Sequence, residues 1–281
     1  MIDHVQVGRF AALAAGAVDA PVVLVLHGFP DAPPSFAGMI TALAAGGLRV
    51  IAPWLRGYAP SPLAGPYDVD TLAGDVLALA DAVSPDHPVA LVGHDWGAVV
   101  TYVACARAPA RIRAAVTLAV PHPATFVRAL ARPAQLARSW YMAAFQLPGV
   151  ERLAAAADFA LIDRLWRRWS PGFELPDAVR RALHQTLRTS WPAPLLYYRA
   201  MTRPPAEAVA RLRRRDRIAV PTLYLHGADD GCIGVEVGRG AERFFDGGYR
   251  REVVPAVGHF LAAESPAEIA ARVTAWLAAP G

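Results

Sequence analysis

The sequence predicts an α/β fold, a mostly parallel, doubly wound sheet that carries an inserted helical lid. Three observations predict it. Short continuous apolar runs recur at 22–26, 89–92, 113–120 and 222–226, the pattern of strands buried on both faces of a parallel sheet. Segments of helical spacing separate these runs. From about residue 124 to 217 the strand pattern disappears into one helical, aromatic block, after which the α/β rhythm resumes.

In chain order, residues 5–10 and the small residues after them read as an opening hairpin. The run at 22–26 is the first buried strand and ends in His27-Gly28-Phe29-Pro30-Asp31. A helix over 35–45 stops at Gly46-Gly47, and a strand over 48–52 follows. A Pro/Gly-rich loop at 57–66 leads to a helix over 69–83. The strand at 89–92 turns through Gly93-His94-Asp95-Trp96-Gly97 into an apolar helix, the strand–turn–helix layout of a nucleophile elbow with Asp95 in the place usually held by serine. The strand at 113–120 closes at Pro121-His122-Pro123. Beyond the helical block, strands at 222–226 and 252–254 and a helix over 266–278 complete the chain. The expected division is therefore a core of 1–123 and 218–281 with a helical cap of 124–217 inserted in it.

A chain of 281 residues is long enough for one large α/β core. It has no run of about eighteen apolar residues, so no membrane-spanning helix is expected. The small-residue stretch at 11–18 could pass for a signal-peptide core. Asp3 precedes it, however, and cleavage near Ala20 would remove the opening hairpin, so a cytoplasmic protein is expected. Cys105 and Cys232 form no metal-binding or redox spacing, and no motif for a cofactor or a metal is present. The net charge is +4, and residues 203–217 alone hold six Arg against Glu207 and Asp216. The basic excess therefore belongs to one stretch, read as a solvated helix end, and not to a nucleic-acid-binding face. No oligomeric state is specified.

Polar residues suited to nucleophilic catalysis stand just after three of the expected strands. In open α/β sheets ligands sit beyond the carboxyl ends of the strands, so residues far apart in sequence meet there. Asp95 is the candidate nucleophile, His259 of Gly258-His259-Phe260 the candidate base, and Asp230 of Gly227-Ala228-Asp229-Asp230 the candidate orienting acid. The order nucleophile, acid, histidine is the one this architecture uses. Asp230 is preferred to Asp229 because the second acid lies across a turn from which it can reach back to the imidazole. The strand ending at Val120 is followed by Pro121, His122, Pro123 and Ala124, which offer no acid.

His27-Gly28-Phe29-Pro30-Asp31, Gly93-His94-Asp95-Trp96-Gly97, the loop Arg56-Gly57-Tyr58-Ala59-Pro60-Ser61 and Gly258-His259-Phe260 resemble the α/β-hydrolase superfamily, and within it the epoxide hydrolase branch. The resemblance runs from about residue 20 to 278 and implies the α/β-hydrolase fold. It also implies an oxyanion hole made by the backbone N–H groups of Phe29 and Trp96, one beside the nucleophile and one in the first loop after a strand.

A carboxylate nucleophile attacks a saturated carbon and leaves an alkyl ester on Asp95, which water activated by His259 then hydrolyses. Opening an epoxide makes an alkoxide, so a proton donor must face the nucleophile, and a tyrosine serves because it stays protonated at neutral pH. Tyr141 and Tyr198 of the helical block lie in segments similar to those supplying the two ring-opening tyrosines of epoxide hydrolases, with Tyr197 an alternative to Tyr198. Trp140, Phe145 and Trp191 are candidate pocket residues, and the lid aromatics point to a small apolar or aromatic substrate. The runner-up is a haloalkane dehalogenase with the same Asp95, His259 and Asp230. That family also places Trp after the nucleophile but commonly adds an Asn where this chain has Phe29. A ligand-binding protein that kept the fold without catalysis is the third reading.

Overall fold

The computed structural model describes residues 1–279, apart from the side chains of residues 211 and 212. Among them, eight strands form one sheet in the order β1-β2-β4-β3-β5-β6-β7-β8: β1 Asp3–Val7, β2 Phe10–Ala15, β3 Val22–Leu26, β4 Arg49–Pro53, β5 Val89–His94, β6 Ile112–Leu118, β7 Thr222–Gly227 and β8 Tyr249–Val254. The opening hairpin, β1 with β2, is antiparallel, and β2 also meets β4 antiparallel. Every remaining pair is parallel. All six residues of β5 are buried, as its position at the centre of the sheet requires. Each Val or Leu there contributes about 1.5–3 kcal/mol of burial, which an interior charge would forfeit.

Helices α1 Ala37–Ala45 and α12 Pro266–Ala278 pack against each other, as do α2 Val69–Val83 and α3 Trp96–Arg107. Asp68 caps α2 by accepting the backbone N–H groups of Asp70 and Thr71. The expected helix at 35–45 begins with a 3-10 turn over Pro33–Phe36, where proline suits a first turn whose N–H groups have no partner, and becomes α-helical at Ala37.

Between β6 and β7 the described residues contain no strand. They form α4 Pro123–Ala129, α5 Pro133–Arg138, α6 Trp140–Ala144, α7 Val150–Trp169, α8 Asp177–Ser190, α9 Ala193–Ala200 and α10 Pro205–Arg213. Helix α7 breaks at 156–159, where Ala157, Asp158 and Phe159 have positive φ. A short helix α11, Leu261–Glu264, precedes α12. The expectation of a solvated basic end at 203–217 needs correction. Arg214 pairs with Asp70 and Asp216, and Arg217 with Asp246, so part of this stretch ties the helical block to the core. The side chain of Arg211, within the same stretch, lies outside the described residues. Among the described residues no helix is long and apolar enough to cross a membrane.

The register places the site. Leu26 of β3 pairs with Gly93 of β5, His94 with Leu118 of β6, and Leu118 with Leu225 of β7. The carboxyl ends of four neighbouring strands thus lie in one row, and the loops that follow converge above them.

Candidate active site

The turn after β5 is built by its glycines. A Cβ on Gly93 would stand 2.3 Å from the carbonyl oxygen of Gly97, and one on Gly97 would stand 2.2 Å from that of Leu26. Only glycine lets strand, turn and helix approach this closely. Between them Asp95 adopts φ 50° and ψ −115°, a conformation that costs an L-residue on the order of 1–3 kcal/mol. Its carbonyl accepts the N–H groups of Ala98 and Val99, but its side chain makes no capping bond to α3. Oδ1 instead accepts the backbone N–H of Phe29 at 2.7 Å. The carboxylate of Asp95 is therefore aimed across the strand ends.

Facing it, His259 Nε2 lies 3.7 Å from Asp95 Oδ2, with no hydrogen-bond partner in the protein. The other ring nitrogen, Nδ1, lies 2.8 Å from Asp230 Oδ2. Asp230 Oδ1 accepts the backbone N–H groups of Cys232 and Ile233 at 2.7 and 2.9 Å, which fixes the carboxylate plane. Asp229, the neighbouring acid, is exposed. Burial pushes the His259 imidazolium toward neutrality. The charge and hydrogen bond of Asp230, helped by Asp95, outweigh burial and hold the pKa up at about 10. Asp230 is shifted the other way: burial raises its pKa, but the contact with His259 brings the net shift below the usual carboxylate value.

The backbone N–H of Phe29 already holds Asp95, and that of Trp96 lies beside it. A Cβ on Gly28 would come within 2.4 Å of Asp95 Oδ1 and 2.7 Å of the Trp96 nitrogen. His27 supports this loop from below. Its Nε2 accepts the N–H of Leu55 and its Nδ1 lies 3.0 Å from the carbonyl oxygen of Gly28, so Nδ1 carries the proton.

Asp95, Tyr141 and Tyr198 line one cavity of about 150 Å³. The Tyr141 hydroxyl lies 3.4 Å from Cys232 Sγ. The Tyr198 hydroxyl is buried without a hydrogen-bond partner of good geometry, although the nearby Trp96 indole slightly favours its ionised form. Burial raises both phenol pKa values well above the ordinary range, so both stay protonated. Tyr197 is engaged elsewhere, donating to the carbonyl oxygen of Arg56 at 2.5 Å. Of the candidate pocket aromatics, Phe145 packs on Phe29, Tyr141 and Tyr198. None of the three is among the residues that line the cavity, and Phe145 lies behind the tyrosines. Trp140 is 42% exposed, and Trp191 packs on Phe159 and donates its indole N–H to the carbonyl oxygen of Glu151. Their helices turn these rings away from Asp95, which sequence spacing alone did not reveal.

Sequence reasoning missed the backbone supports. The carbonyl oxygen of Trp169, at the end of α7, accepts the N–H of both Gly231 and His259, joining the acid loop to the histidine loop. Glu264 accepts the N–H groups on either side of His259, from Gly258 at 2.7 Å and Phe260 at 3.0 Å. No residue pattern announces a role played by a carbonyl group. Among the described residues, no group of three or more His, Cys, Asp or Glu could hold a metal ion.

A family model described as the alpha/beta hydrolase fold matches residues 21–266. The chain belongs to the α/β-hydrolase family. This α/β hydrolase is similar to epoxide hydrolase A of Mycobacterium tuberculosis (strain ATCC 25618 / H37Rv), with 30% identity over 308 residues covering 96% of this chain and 94% of that one. Its fold matches a crystal structure of an epoxide hydrolase from Vigna radiata with TM-score 0.81 and 26% identity, covering 99% and 97% of the two chains. It also matches, at 22% identity, the fold of a Bacillus megaterium epoxide hydrolase crystallised with an inhibitor, with TM-score 0.84 over 98% of this chain and 99% of that one. The protein is an epoxide hydrolase-like α/β hydrolase, and as such an enzyme.

Proposed function

We propose that this enzyme hydrolyses an epoxide to a vicinal diol, with residues 124–217 acting as a cap on a core formed by 1–123 and 218–281. One observation carries the reading: a carboxylate and two protonated phenols, Asp95, Tyr141 and Tyr198, line the same cavity. Nucleophile and proton donors are what ring opening needs, and displacement of a halide needs no proton.

In this mechanism Asp95 Oδ2, the oxygen not bonded to Phe29, attacks a ring carbon as the C–O bond breaks. The oxygen leaves as an alkoxide that accepts hydrogen bonds from Tyr141 and Tyr198 and takes a proton from one of them. The proton moves as negative charge develops on the oxygen in the breaking C–O bond. The product of this step is an ester on Asp95. With Asp95 neutral, His259 gives its proton to the tyrosinate, and its freed Nε2 then takes a proton from water as the water oxygen attacks the ester carbonyl. The resulting oxyanion, on Oδ1, accepts the N–H of Phe29 and of Trp96; as the intermediate collapses, the leaving oxygen takes the proton from His259 to complete the diol, and the Asp95 carboxyl gives its own proton back to His259.

The charges favour this order. In the free enzyme Asp230 and Asp95 together hold His259 protonated. Alkylation makes Asp95 neutral, removes one of those two charges and lowers the imidazole pKa at the stage where a base is required. The dehalogenase reading is weaker, because the side chain at position 29 is a hydrocarbon ring packed on Phe145 and Tyr198 and offers halide no donor.

Intact-mass analysis of His259→Gln incubated with styrene oxide tests the proposal. The expected result is one added equivalent of epoxide per chain, mapping to Asp95. Normal turnover by that variant, or an adduct elsewhere, would overturn it. Wild-type turnover of a bromoalkane and of no epoxide would favour the dehalogenase reading.

A further inference from the structure

The cavity over Asp95 extends along α3 and the residues after β6. Its walls there are Val99 and Val103 of α3, Val120 after β6, Phe126 of α4 and Met201 after α9, and it reaches the Arg214–Asp216 ion pair at its far end. The opposite side is filled. Phe29 and Phe145, each at most 1% exposed, meet edge to face with ring centroids 5.4 Å apart, and both pack on Tyr198 at 5.2 and 5.1 Å. Behind them Trp166 stacks on Phe260 at 3.4 Å and donates its indole N–H to the carbonyl oxygen of Pro30, which locks that wall to the loop carrying Phe29. Trp169 closes the gap between Tyr141 and His259, with ring centroids 4.8 and 5.3 Å from theirs.

In-line attack puts one ring carbon on the line from Asp95 to the breaking C–O bond and the second ring carbon to one side of it, so the groups on the two carbons point in different directions. Here one carbon faces an apolar cavity and the other a close-packed aromatic wall. A cavity of about 150 Å³ takes a group the size of a benzene ring. We propose that the enzyme selects terminal epoxides, bearing one apolar arm of about one aromatic ring and an unsubstituted second carbon, and that Phe145 with Phe29 enforces this selection. The inference rests on the epoxide hydrolase reading and names the substrate class of that site.

The test is a matched series: styrene oxide, its trans-β-methyl derivative and trans-stilbene oxide, which share one arm and differ only in the group on the second carbon. Wild-type kcat/KM is expected to fall about tenfold or more with the methyl group, and at least about a hundredfold with the phenyl group, because a close-packed wall resists each added carbon. Phe145→Ala, which opens the wall, is expected to raise the trans-β-methyl substrate relative to styrene oxide by about tenfold. Comparable wild-type rates on styrene oxide and trans-stilbene oxide would overturn the selection while leaving the epoxide hydrolase reading intact. Selection retained in a folded Phe145→Ala variant would overturn the assignment to that wall. Turnover of none of the three, with no adduct on His259→Gln, would overturn the epoxide hydrolase reading and this inference with it. If Phe145→Ala does not fold, the wild-type series alone decides.

Discussion

The Tyr198 hydroxyl is buried at the wall of the cavity, beside the Trp96 indole and on the side from which a ligand oxygen would meet it. A ligand oxygen beside it would accept its hydrogen bond, and that bond strengthens as the oxygen gains negative charge in the transition state. Tyr198→Phe should therefore separate stability from activity. No hydrogen bond that fixes the fold depends on this hydroxyl, so the unfolding free energy should change by less than about 1 kcal/mol, measured by denaturant titration. The same change should lower kcat on an epoxide by about tenfold to a thousandfold, since Tyr141 would be left as the lone donor. A variant that loses stability and keeps its rate would contradict the role assigned to this hydroxyl. Asp95 shows a conflict of stability with activity in its backbone, whose positive φ aims the carboxylate at Phe29 and His259 and away from the helix it precedes.

At the scale of elements, His259 depends on two helix ends. The end of α7 contributes the carbonyl oxygen of Trp169 to the N–H of His259, and α11 contributes the Glu264 carboxylate to the N–H groups of Gly258 and Phe260. Ser170, next to Trp169, donates its hydroxyl to the same carboxylate at 2.5 Å, so the two helix ends are joined. Glu264→Gln keeps the volume and one carbonyl acceptor but loses the second acceptor. It should lower kcat about tenfold with little change in KM, because the imidazole would be less well held while the cavity walls stay in place. A loss confined to KM would argue against this positioning role. The spacing of these segments made the helices legible in sequence, α2 and α12 at the limits expected. The short turns that carry α11 and the 3-10 start before α1 were not, since a single turn has no periodicity to read.

For the whole molecule, acid stability follows from buried histidines. Burial holds His27, His94 and His122 down at about 4, so each is neutral when folded and takes up a proton on unfolding once the pH falls below about 6.5. Burial likewise raises the Asp31 carboxyl to about 7, and this acts in the opposite sense, since the folded protein holds that proton more tightly between about pH 4 and 7. Burial lowers His226 in the same sense, so the histidines outweigh the one carboxyl. The melting temperature should therefore fall more steeply between pH 6.5 and 4 than between pH 8 and 6.5, and calorimetry across that range checks it. His27→Asn, which removes one of them, should flatten the acid limb.

The sequence by itself determined the sheet, the place of the elbow, the helical block after β6 and the residue types available beyond the strand ends. Buried strands must be continuously apolar, and sharp turns must carry glycine, so both leave a mark that can be read one residue at a time. Asp95 and Asp230 were legible because each stands within three residues of such a marked strand; His259 was legible from the glycine before it and its place late in the chain, since β8, with its Arg250, Arg251 and Glu252, is not continuously apolar. Only the tertiary structure decided which side chains meet: Phe145 against the tyrosines, Trp140 at the surface, Trp191 on Phe159 and, of two neighbouring rings that both line the cavity, Tyr198 beside Trp96 and Tyr197 with its hydroxyl on the Arg56 carbonyl. A helix presents many aromatic rings with similar local spacing, and its rotation in the packed molecule selects among them. Supports made of backbone carbonyls, such as that of Trp169, are present in every residue, so only their position gives them a role.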